Sequence, residues 1–223
     1  MPAVKPFSWS YSKLKNYENC PFKYLKVDLQ KQFKEETDQL DYGNKVHDCL
    51  KIALTTGKPL PSEFDVWQHW VDGIRALPGD LMVEQKYAIT REFAPCEYFG
   101  PKVWYRGIAD AVKIDQTRVG IFDWKTGKIK HDPIQLMLST ACVFAFHPEI
   151  QKARTTFIWL TENVVSSEDF TRADIHNAWP AILERVKELE DATTRQIFNP
   201  KPGGLCKNYC PVSICEFYKK GTR

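Results

Sequence analysis

The sequence predicts a mixed α/β protein in which helices precede a strand-rich middle. Helical spacing of apolar residues dominates the first 78 positions. Three strand-like segments then follow one another, "LMVEQKYAI", "KVWYRGIADAVKID" and "RVGIFDWK". A helix, a strand and a long helix come next, and this order favours a mixed sheet flanked by helices.

The helical part divides into three stretches. In "SWSYSKLKNYENCPFKYLKVDL" the apolar residues recur at helical spacing, and Pro21 predicts a break or a fresh helix start. "DQLDYGNKVHDCLKIAL" forms a second helix that ends before Gly57. "SEFDVWQHWVDGIRAL" forms a third, with Ser62 as its predicted cap.

The later elements follow from local turn and capping patterns. Turn residues around Gln116 predict a hairpin between the second and third strands. Asp132 as cap and Pro133 at the first helical position start the helix "DPIQLMLSTACVFAF". "ARTTFIWLTE" is a strand that "VVSSEDF" could pair with, and a long helix over residues 171–196 is kinked or divided in two by Pro180.

Composition limits the class of protein. The chain has 223 residues, of which 43% are hydrophobic and 26% charged, which suits a globular domain with a real core. No apolar run approaches the roughly 18 residues of a membrane span. The start "MPAVKPFSWS" lacks the apolar region of a secretory signal, so we expect a cytoplasmic protein without membrane contact.

Charge is unevenly distributed along the chain. Residues 1–34 carry a balance of +5 and residues 201–223 a balance of +4, within a net charge of +3. The basic ends are either solvated surface lysines or, if the ends meet, a patch that follows phosphates.

Two charged residues close an apolar strand in "VGIFDWKTG". Asp123 and Lys125 are two apart, so they share one face of the strand while Trp124 points to the other. Charged groups are costly to bury unless they are paired or bound to a metal. The pair is therefore either a structural ion pair or part of a catalytic site.

Asp110 favours the catalytic interpretation. It lies in the preceding strand among apolar residues, and a hairpin at Gln116 would bring it close to Asp123. Two carboxylates at short distance raise each other's pKa, and a divalent cation with oxygen ligands removes the conflict. Such a metal activates water for hydrolysis, and Lys125 could orient or deprotonate that water.

These motifs carry a resemblance. "GIAD" followed by "DWKTG" resembles the core of the PD-(D/E)XK nuclease superfamily. More narrowly it is similar to the RecB-like branch, with its CRISPR-adaptation nucleases and phage exonucleases. The resemblance implies a restriction-endonuclease-like core over residues 79–196, a helical part over 1–78 and a cysteine-rich segment over 197–223, all in one domain of residues 1–223.

The resemblance also implies a metal site. Asp110, Asp123 and the main-chain carbonyl of Trp124 would bind Mg²⁺ or Mn²⁺, with His47 completing the site and Lys125 serving the water. His47 stands in "GNKVH", which matches the family's G-x-x-x-H string.

Other family positions are less complete. Gly43 of the G-x-x-x-H string would leave room beside the imidazole for metal and substrate. Glu84 matches a glutamate that family members carry early in the strand region, as a metal ligand or a structural residue. Gln135 fits the glutamine of a Q-x-x-x-Y string, but Ser139 stands in place of the tyrosine. Gln135 is either a substrate-positioning residue or the second half of a capping box with Asp132.

Seven cysteines without a secretion signal argue against a disulfide framework. Three of them are predicted to be ordinary core or surface thiols: Cys49, Cys96 and Cys142. The other four would suit zinc or an iron–sulfur cluster: Cys20, Cys206, Cys210 and Cys215. The resemblance implies a structural four-iron, four-sulfur cluster, although C-x3-C-x4-C replaces the family's C-x2-C-x5-C. Zinc and no metal are the alternatives.

The resemblance implies a function. We expect an exonuclease of single-stranded DNA, with 5′→3′ polarity, in recombination, repair or phage DNA metabolism, in the host cytoplasm if a phage encodes it. Recombination or replication proteins are candidate partners. Aromatics near the basic N-terminal segment could stack bases: Trp9, Tyr11, Tyr17 and Phe22. The alternatives are a structure-specific endonuclease and an inert DNA-binding module.

Overall fold

A computed structural model describes residues 7–130 and 132–220. It divides into two compact units. The sheet unit comprises residues 7–8 and 38–179, and the helical unit comprises residues 9–37 and 180–220. The division into parts 1–78, 79–196 and 197–223 of one domain stays a prediction.

The sheet unit is built on five strands in sequential order, β1-β2-β3-β4-β5. Neighbouring strands are antiparallel except β3 and β4, which are parallel. This mixed sheet flanked by helices confirms the predicted fold class. The strands are β1 (Asp80–Ile89), β2 (Tyr105–Asp115), β3 (Arg118–Lys125), β4 (Lys152–Trp159) and β5 (Val164–Thr171).

Seven α-helices occur in the described part of the chain, together with two short turns of other helix types. A π-helical turn covers Leu25–Leu29 and a 3-10 turn covers Asp65–Trp67. The α-helices are α1 (Tyr11–Asn19), α2 (Pro21–Tyr24), α3 (Asp38–Thr56), α4 (Gln68–Ala76), α5 (Pro133–Phe146), α6 (Arg172–Arg195) and α7 (Leu205–Asn208). None of the described helices is long and apolar enough to cross a membrane.

The hairpin of β2 and β3 is confirmed. Asp115 pairs with Arg118, which leaves Gln116 and Thr117 as a two-residue turn. Gln116 adopts a φ of 53°, the left-handed backbone that tight hairpin turns need. The turn sets the register that brings the end of β3 beside the middle of β2.

A hydrophobic core fastens α3 and α4 to the sheet. Val46 and Leu50 of α3 are fully buried in one cluster with Ala111 of β2 and Trp124 of β3. This packing explains the apolar face of the second helical stretch and fixes the position of His47, the residue after Val46.

Helix α5 starts as its sequence predicts. Asp132 is the N-cap, its side chain accepts from the Ile134 amide at 3.2 Å, and Pro133 occupies the first turn. Farther along, the hydroxyls of Thr140 and Thr155 lie 2.7 Å apart in the buried contact between α5 and β4. The side-chain amide of Gln135, in the first turn of α5, donates to Asp123 near the end of β3.

In the helical unit Cys20 separates two helices. It ends α1 and caps α2, its Sγ accepting from the Lys23 amide at 3.5 Å, and Pro21 takes the first position of α2. The predicted fresh start at Pro21 is confirmed.

An ion pair joins α6 to α1 within the helical unit. The guanidinium of Arg185 donates to both carboxylate oxygens of Glu18, to Oε1 at 2.5 Å and to Oε2 at 2.8 Å.

Two local predictions are wrong. Of the kink or division predicted at Pro180, the division is wrong, because α6 continues through Pro180 from Arg172 to Arg195, while the kink stays a prediction. The third helix does not begin at Ser62, since the 3-10 turn Asp65–Trp67 intervenes and α4 begins at Gln68. Apolar periodicity alone does not distinguish a 3-10 turn from the first turn of an α-helix.

Candidate metal centre

Three side chains from three elements of the sheet unit converge on one point. His47 of α3, Glu84 of β1 and Asp110 of β2 each place one ligand atom within 4.8 Å of the others. A single ion can be held by atoms at such separations. Two carboxylates and one imidazole suit Mg²⁺ or Mn²⁺ through the oxygens, with the nitrogen as an added ligand. The residues present therefore fit a divalent cation.

Asp110 is fixed by contacts on both of its oxygens. Its Oδ2 accepts from the Trp124 amide at 2.8 Å, and its Oδ1 lies 3.4 Å from His47 Nδ1. The side chain is buried, with 9% of the residue exposed. Asp110 thus connects the helix, its own strand and β3, which the hairpin register makes possible.

Asp123 and Lys125 lie side by side at the end of β3, as alternation predicts. Lys125 Nζ is 2.5 Å from Asp123 Oδ2 and 4.9 Å from the centre of the Phe157 ring. Gln135 Nε2 of α5 donates to Asp123 Oδ1 at 3.0 Å. Oδ1 thus accepts a hydrogen bond, whereas the buried Oδ2 has the Lys125 ammonium at ion-pair distance but no hydrogen-bond partner among the described residues. Asp123 is not part of the three-residue group around Asp110.

The pKa values of Asp123, Glu84 and His47 are all raised, which shows that negative charge in this site is unfavourable. Burial raises the pKa of Asp123 to about 6, against the lowering effect of Lys125 and with the help of Asp110. Burial and the charge of Asp110 likewise raise the pKa of Glu84. For His47 burial lowers the pKa, but its hydrogen bond with Asp110 and the charge of Asp110 outweigh burial, so the pKa is raised. A cation would relieve all three perturbations.

Glu84 reaches the site from an unusual backbone conformation. It lies in β1 between Val83 and Gln85, which pair with β2 on either side of Asp110. Its φ is 53°, in the left-handed region. This conformation costs a non-glycine residue about 1–2 kcal/mol, and such strain concentrates at functional sites. The strained residue is a candidate metal ligand.

Gly43 has a neighbour that the sequence did not reveal. A Cβ at this position would lie 3.2 Å from Thr126 Oγ1, one residue beyond Lys125. The absent side chain lets α3 approach the end of β3 closely. Room for metal and substrate beside the imidazole stays a prediction.

Gln135 does not close a capping box. The Asp132 side chain accepts a hydrogen bond from the Ile134 backbone amide, as a cap does. The side-chain amide of Gln135 donates to Asp123 and not back to the cap residue. The structure thus brings together six predicted side chains, in two adjoining groups: His47, Glu84 and Asp110, then Asp123, Lys125 and Gln135. The carbonyl of Trp124 stays a predicted ligand; the Trp124 amide is the group with an observed role, on Asp110.

The cysteines of the helical unit share a cavity but not a metal-like arrangement. Four cysteines line a cavity of about 310 Å³: Cys20, Cys206, Cys210 and Cys215. Backbone amides of Lys201 and Gly203 donate to Cys20 Sγ and Cys206 Sγ, both at 3.4 Å. Among the described residues no three cysteines bring their sulfurs within 4.8 Å of one another. The sulfurs are therefore not arranged as a cluster, and the structure supports neither the iron–sulfur nor the zinc prediction.

The basic ends do meet within the helical unit. Lys201 Nζ donates to the Glu18 carbonyl at 2.8 Å, beside the contact of its amide with Cys20. Several lysines there are occupied: Lys23 pairs with Glu35 at 2.8 Å and Lys15 with Glu18 at 3.3 Å. Lys5 and Arg223 of the predicted patch lie outside the described residues.

Comparison with known proteins decides the family. The model of the PD-(D/E)XK nuclease superfamily matches residues 8–216. The chain belongs to the PD-(D/E)XK nuclease superfamily. A search of curated protein sequences gives no match.

Solved structures resemble this superfamily member in fold. The crystal structure of a protein from Eubacterium rectale, named "putative exonuclease", aligns with a TM-score of 0.55 at 13% identity, covering 94% of this chain and 86% of the other. The crystal structure of the protein named SSO0001 aligns with a TM-score of 0.49 at 14% identity, covering 97% and 89%. At these identities the first likeness supports the superfamily fold alone.

Proposed function

We propose that this chain is a divalent-metal-dependent deoxyribonuclease. The observation that carries the proposal is the convergence of His47, Glu84 and Asp110, which place ligand atoms within 4.8 Å of one another. The Asp123–Lys125 pair adjoins them on the neighbouring strand. In a member of a nuclease superfamily, a metal site beside a lysine supports phosphodiester hydrolysis.

Each side chain has a role in the proposal. His47, Glu84, Asp110 and Asp123 hold the cation, which when bound stabilises the charge that develops on the phosphate and lowers the pKa of a water. Lys125 orients the attacking water as the ammonium, or takes the water's proton as the neutral amine. Its ammonium is partly exposed, so it can reach a substrate while it stays beside Asp123. Gln135 fixes the Asp123 carboxylate.

The finer proposal concerns the substrate. We propose exonucleolytic cleavage of single-stranded DNA with 5′→3′ polarity. The similarity of the G-x-x-x-H, Asp and D-x-K strings to the RecB-like branch supports it, and so does the name of the E. rectale neighbour. Cytoplasmic location and recombination or replication partners remain predictions.

A four-iron, four-sulfur cluster in the helical unit is a separate proposal. It rests on the similarity of the four-cysteine pattern to that of the RecB-like branch and not on the positions of the sulfurs, which are not arranged as a cluster. Anaerobic purification followed by iron and sulfide analysis tests it. About four of each per chain, lost in Cys20→Ala but kept in Cys49→Ala, would support the cluster. Zinc, or no metal, in anaerobically prepared protein would reject it.

A cleavage assay tests the function. Linear single strands labelled at either end, a closed single-stranded circle and a duplex are incubated with Mg²⁺, Mn²⁺ or EDTA. Lys125→Ala is the inactive variant, and Lys128→Ala, an exposed lysine three residues on, is its matched control. We expect metal-dependent loss of linear strands by the wild type and Lys128→Ala, with the circle spared and Lys125→Ala silent.

Other outcomes have defined meanings. Cleavage of the circle would make the protein an endonuclease on the same core. Equal cleavage by Lys125→Ala would point to a contaminating nuclease. DNA binding without cleavage in either metal would reject the catalytic proposal and leave the inert binding module.

A further inference from the structure

The sheet unit carries an exposed cationic and aromatic surface that leads away from the metal centre. We propose that this surface, the Phe99 strip, binds one strand of the DNA substrate by stacking a base on Phe99 and holding phosphates on two cations. The strip consists of Lys86, Tyr98, Phe99, Arg106 and Ile108. The inference rests on the proposed function and adds the surface along which the DNA substrate binds.

The strip begins beside the metal ligands. Along β2, Asp110, Ile108 and Arg106 are spaced two apart, so their side chains emerge on one face at steps of about 6.5–7 Å. Lys86 of β1 is directly opposite Ile108 in the antiparallel pair. The strip therefore continues the line of the metal centre for about 13 Å along the strand.

A rigid turn places the two aromatic rings at the far end. The Gly100 amide donates to the Glu97 carbonyl at 2.9 Å, which makes Tyr98 and Phe99 the central residues of a turn. The Cys96 amide donates to the Ala88 carbonyl of β1 at 3.0 Å, so the segment is fastened to the sheet. The rings contact edge to face, with centroids 4.9 Å apart.

Two cations crowd the same ring. Lys86 Nζ lies 5.7 Å from the centre of the Tyr98 ring, and the Arg106 guanidinium lies 5.5 Å from it. Within the described part of the chain neither forms an ion pair with a carboxylate; Arg106 donates to the Ser8 hydroxyl at 3.2 Å. Two positive charges around one ring repel each other, and an anion placed between them relieves the repulsion. A phosphate supplies that charge.

Phe99 is the ring left open to a ligand. It is 79% exposed, although Lys86 lies 5.8 Å from its centre. Single exposed apolar residues are common on proteins. This one stands on a fixed turn, beside two cations and in line with a metal centre, which is the arrangement of a stacking platform.

The occupant is a single strand. In a duplex the faces of the bases are covered by their neighbours, and only unpaired bases offer a free face to a ring. Cations that lie beside aromatic rings suit a strand that carries both phosphates and bases. Trp9, a predicted base-stacking residue, is fully buried and so has no ring face open to a base.

Binding is measured without metal, so that cleavage does not enter. The probe is a fluorescein-labelled oligothymidylate of about 15 nucleotides, within the site sizes of single-strand binders, and anisotropy is followed in EDTA. The variants are Phe99→Ala, Phe99→Trp and Lys86→Ala. Tyr42→Ala, an aromatic of the same unit that is 47% exposed, is the control. Thermal melting verifies that each variant is folded.

We expect Phe99→Ala to weaken binding by about 5- to 150-fold, the range for loss of one stacked base. Phe99→Trp should restore it, and Tyr42→Ala should match the wild type. Lys86→Ala should lower the slope of log K against log salt by about 0.7. On an abasic strand of equal length, or on a duplex, Phe99→Ala should have no effect.

The proposal falls if Phe99→Ala binds thymidylate as well as Tyr42→Ala does, or if its defect is equal on the abasic strand or the duplex. These results are independent of catalysis. If the protein binds DNA through Phe99 but never cleaves it, the proposal for the Phe99 strip stands and the proposed nuclease function is rejected. If it cuts, Phe99→Ala should raise KM for single strands with kcat unchanged, because a contact remote from the reacting atoms contributes uniform binding.

Discussion

The replacement Asp123→Asn should stabilise the metal-free protein while abolishing its activity. Asp123 is buried, and its carboxylate has a pKa raised from 3.8 to about 6, with burial as the largest cause. Asparagine has no charge to desolvate and keeps an oxygen that can accept from Gln135. The variant therefore removes the unfavourable charge and retains the hydrogen bond.

The magnitude follows from the pKa. A displacement from 3.8 to about 6 corresponds to about 3 kcal/mol of folding free energy once the carboxylate is ionised. Because the pKa is raised on folding, the stabilising state is the protonated one. It is fully present below pH 3.8 and lost as the pH rises through about 6. Part of the gain in the variant is offset because Lys125 loses its partner, so we expect about 1–3 kcal/mol at pH 7.

Urea denaturation in EDTA measures this at pH 7 and pH 5. The variant should be the more stable protein at pH 7, and the difference should shrink at pH 5, where wild-type Asp123 is mostly protonated. Mn²⁺ should stabilise the wild type and not the variant, since metal stabilises only the protein that binds it. A variant that is less stable than the wild type at pH 7, or a difference that is unchanged at pH 5, would refute the reasoning.

Three further predictions follow from single contacts. Gln135→Ala should lower kcat by about 10–100-fold with the fold intact, as loss of a group that orients a metal-site carboxylate does, measured by single-strand cleavage. Gly43→Ala should leave Tm nearly unchanged, because the gain of about 1 kcal/mol in helix propensity is offset by the cost of displacing Thr126 with the new Cβ. The single-strand cleavage assay should record reduced activity of this variant. Arg185→Met should cost about 1–2 kcal/mol in urea denaturation, because it leaves half-buried Glu18 without its paired contact.

Each of these has a control. Gln151→Ala, an exposed glutamine after α5, should be fully active; equal loss in both variants would remove the role of Gln135. Gly73→Ala, where a Cβ meets nothing within 4 Å, should raise Tm and keep activity, and a matching loss there would contradict the account of Gly43. Burial raises the pKa of Glu18 but Arg185 outweighs it, so the pKa is lowered. The Arg185→Met deficit should be full above the ordinary pKa of 4.5, shrink as the pH falls below it and vanish only below the lowered pKa of the folded protein; a deficit that did not shrink on acidification would be unexplained.

Regular elements and covalent neighbours were predictable from the sequence. Alternation placed Asp123 and Lys125 on one face of β3, and the short turn at Gln116 fixed the register that brings Asp110 beside β3. Capping chemistry located the start of α5 at Pro133. These features depend on interactions within a few residues or on one hairpin, so local patterns determine them.

Features that depend on tertiary approach were not predictable. The left-handed conformation of Glu84 occurs in a sequence that reads as a regular strand. The contact between Gly43 and Thr126 joins two segments that are distant in sequence. Gln135 binds Asp123 and not the cap residue because the fold places the Asp123 carboxylate within its reach. Phe99 sits in an irregular segment, where neither periodicity nor a family motif distinguishes an exposed ring from a buried one.

The most direct test of the metal centre is anomalous diffraction from crystals grown with Mn²⁺. We predict one strong peak in the sheet unit at about 2.0–2.2 Å from a nitrogen of His47 and from oxygens of Glu84, Asp110 and Asp123. The peak should be absent in crystals of Asp110→Asn. No peak at this point in a protein that cleaves DNA with Mn²⁺, or a peak held by other residues, would contradict the site described here.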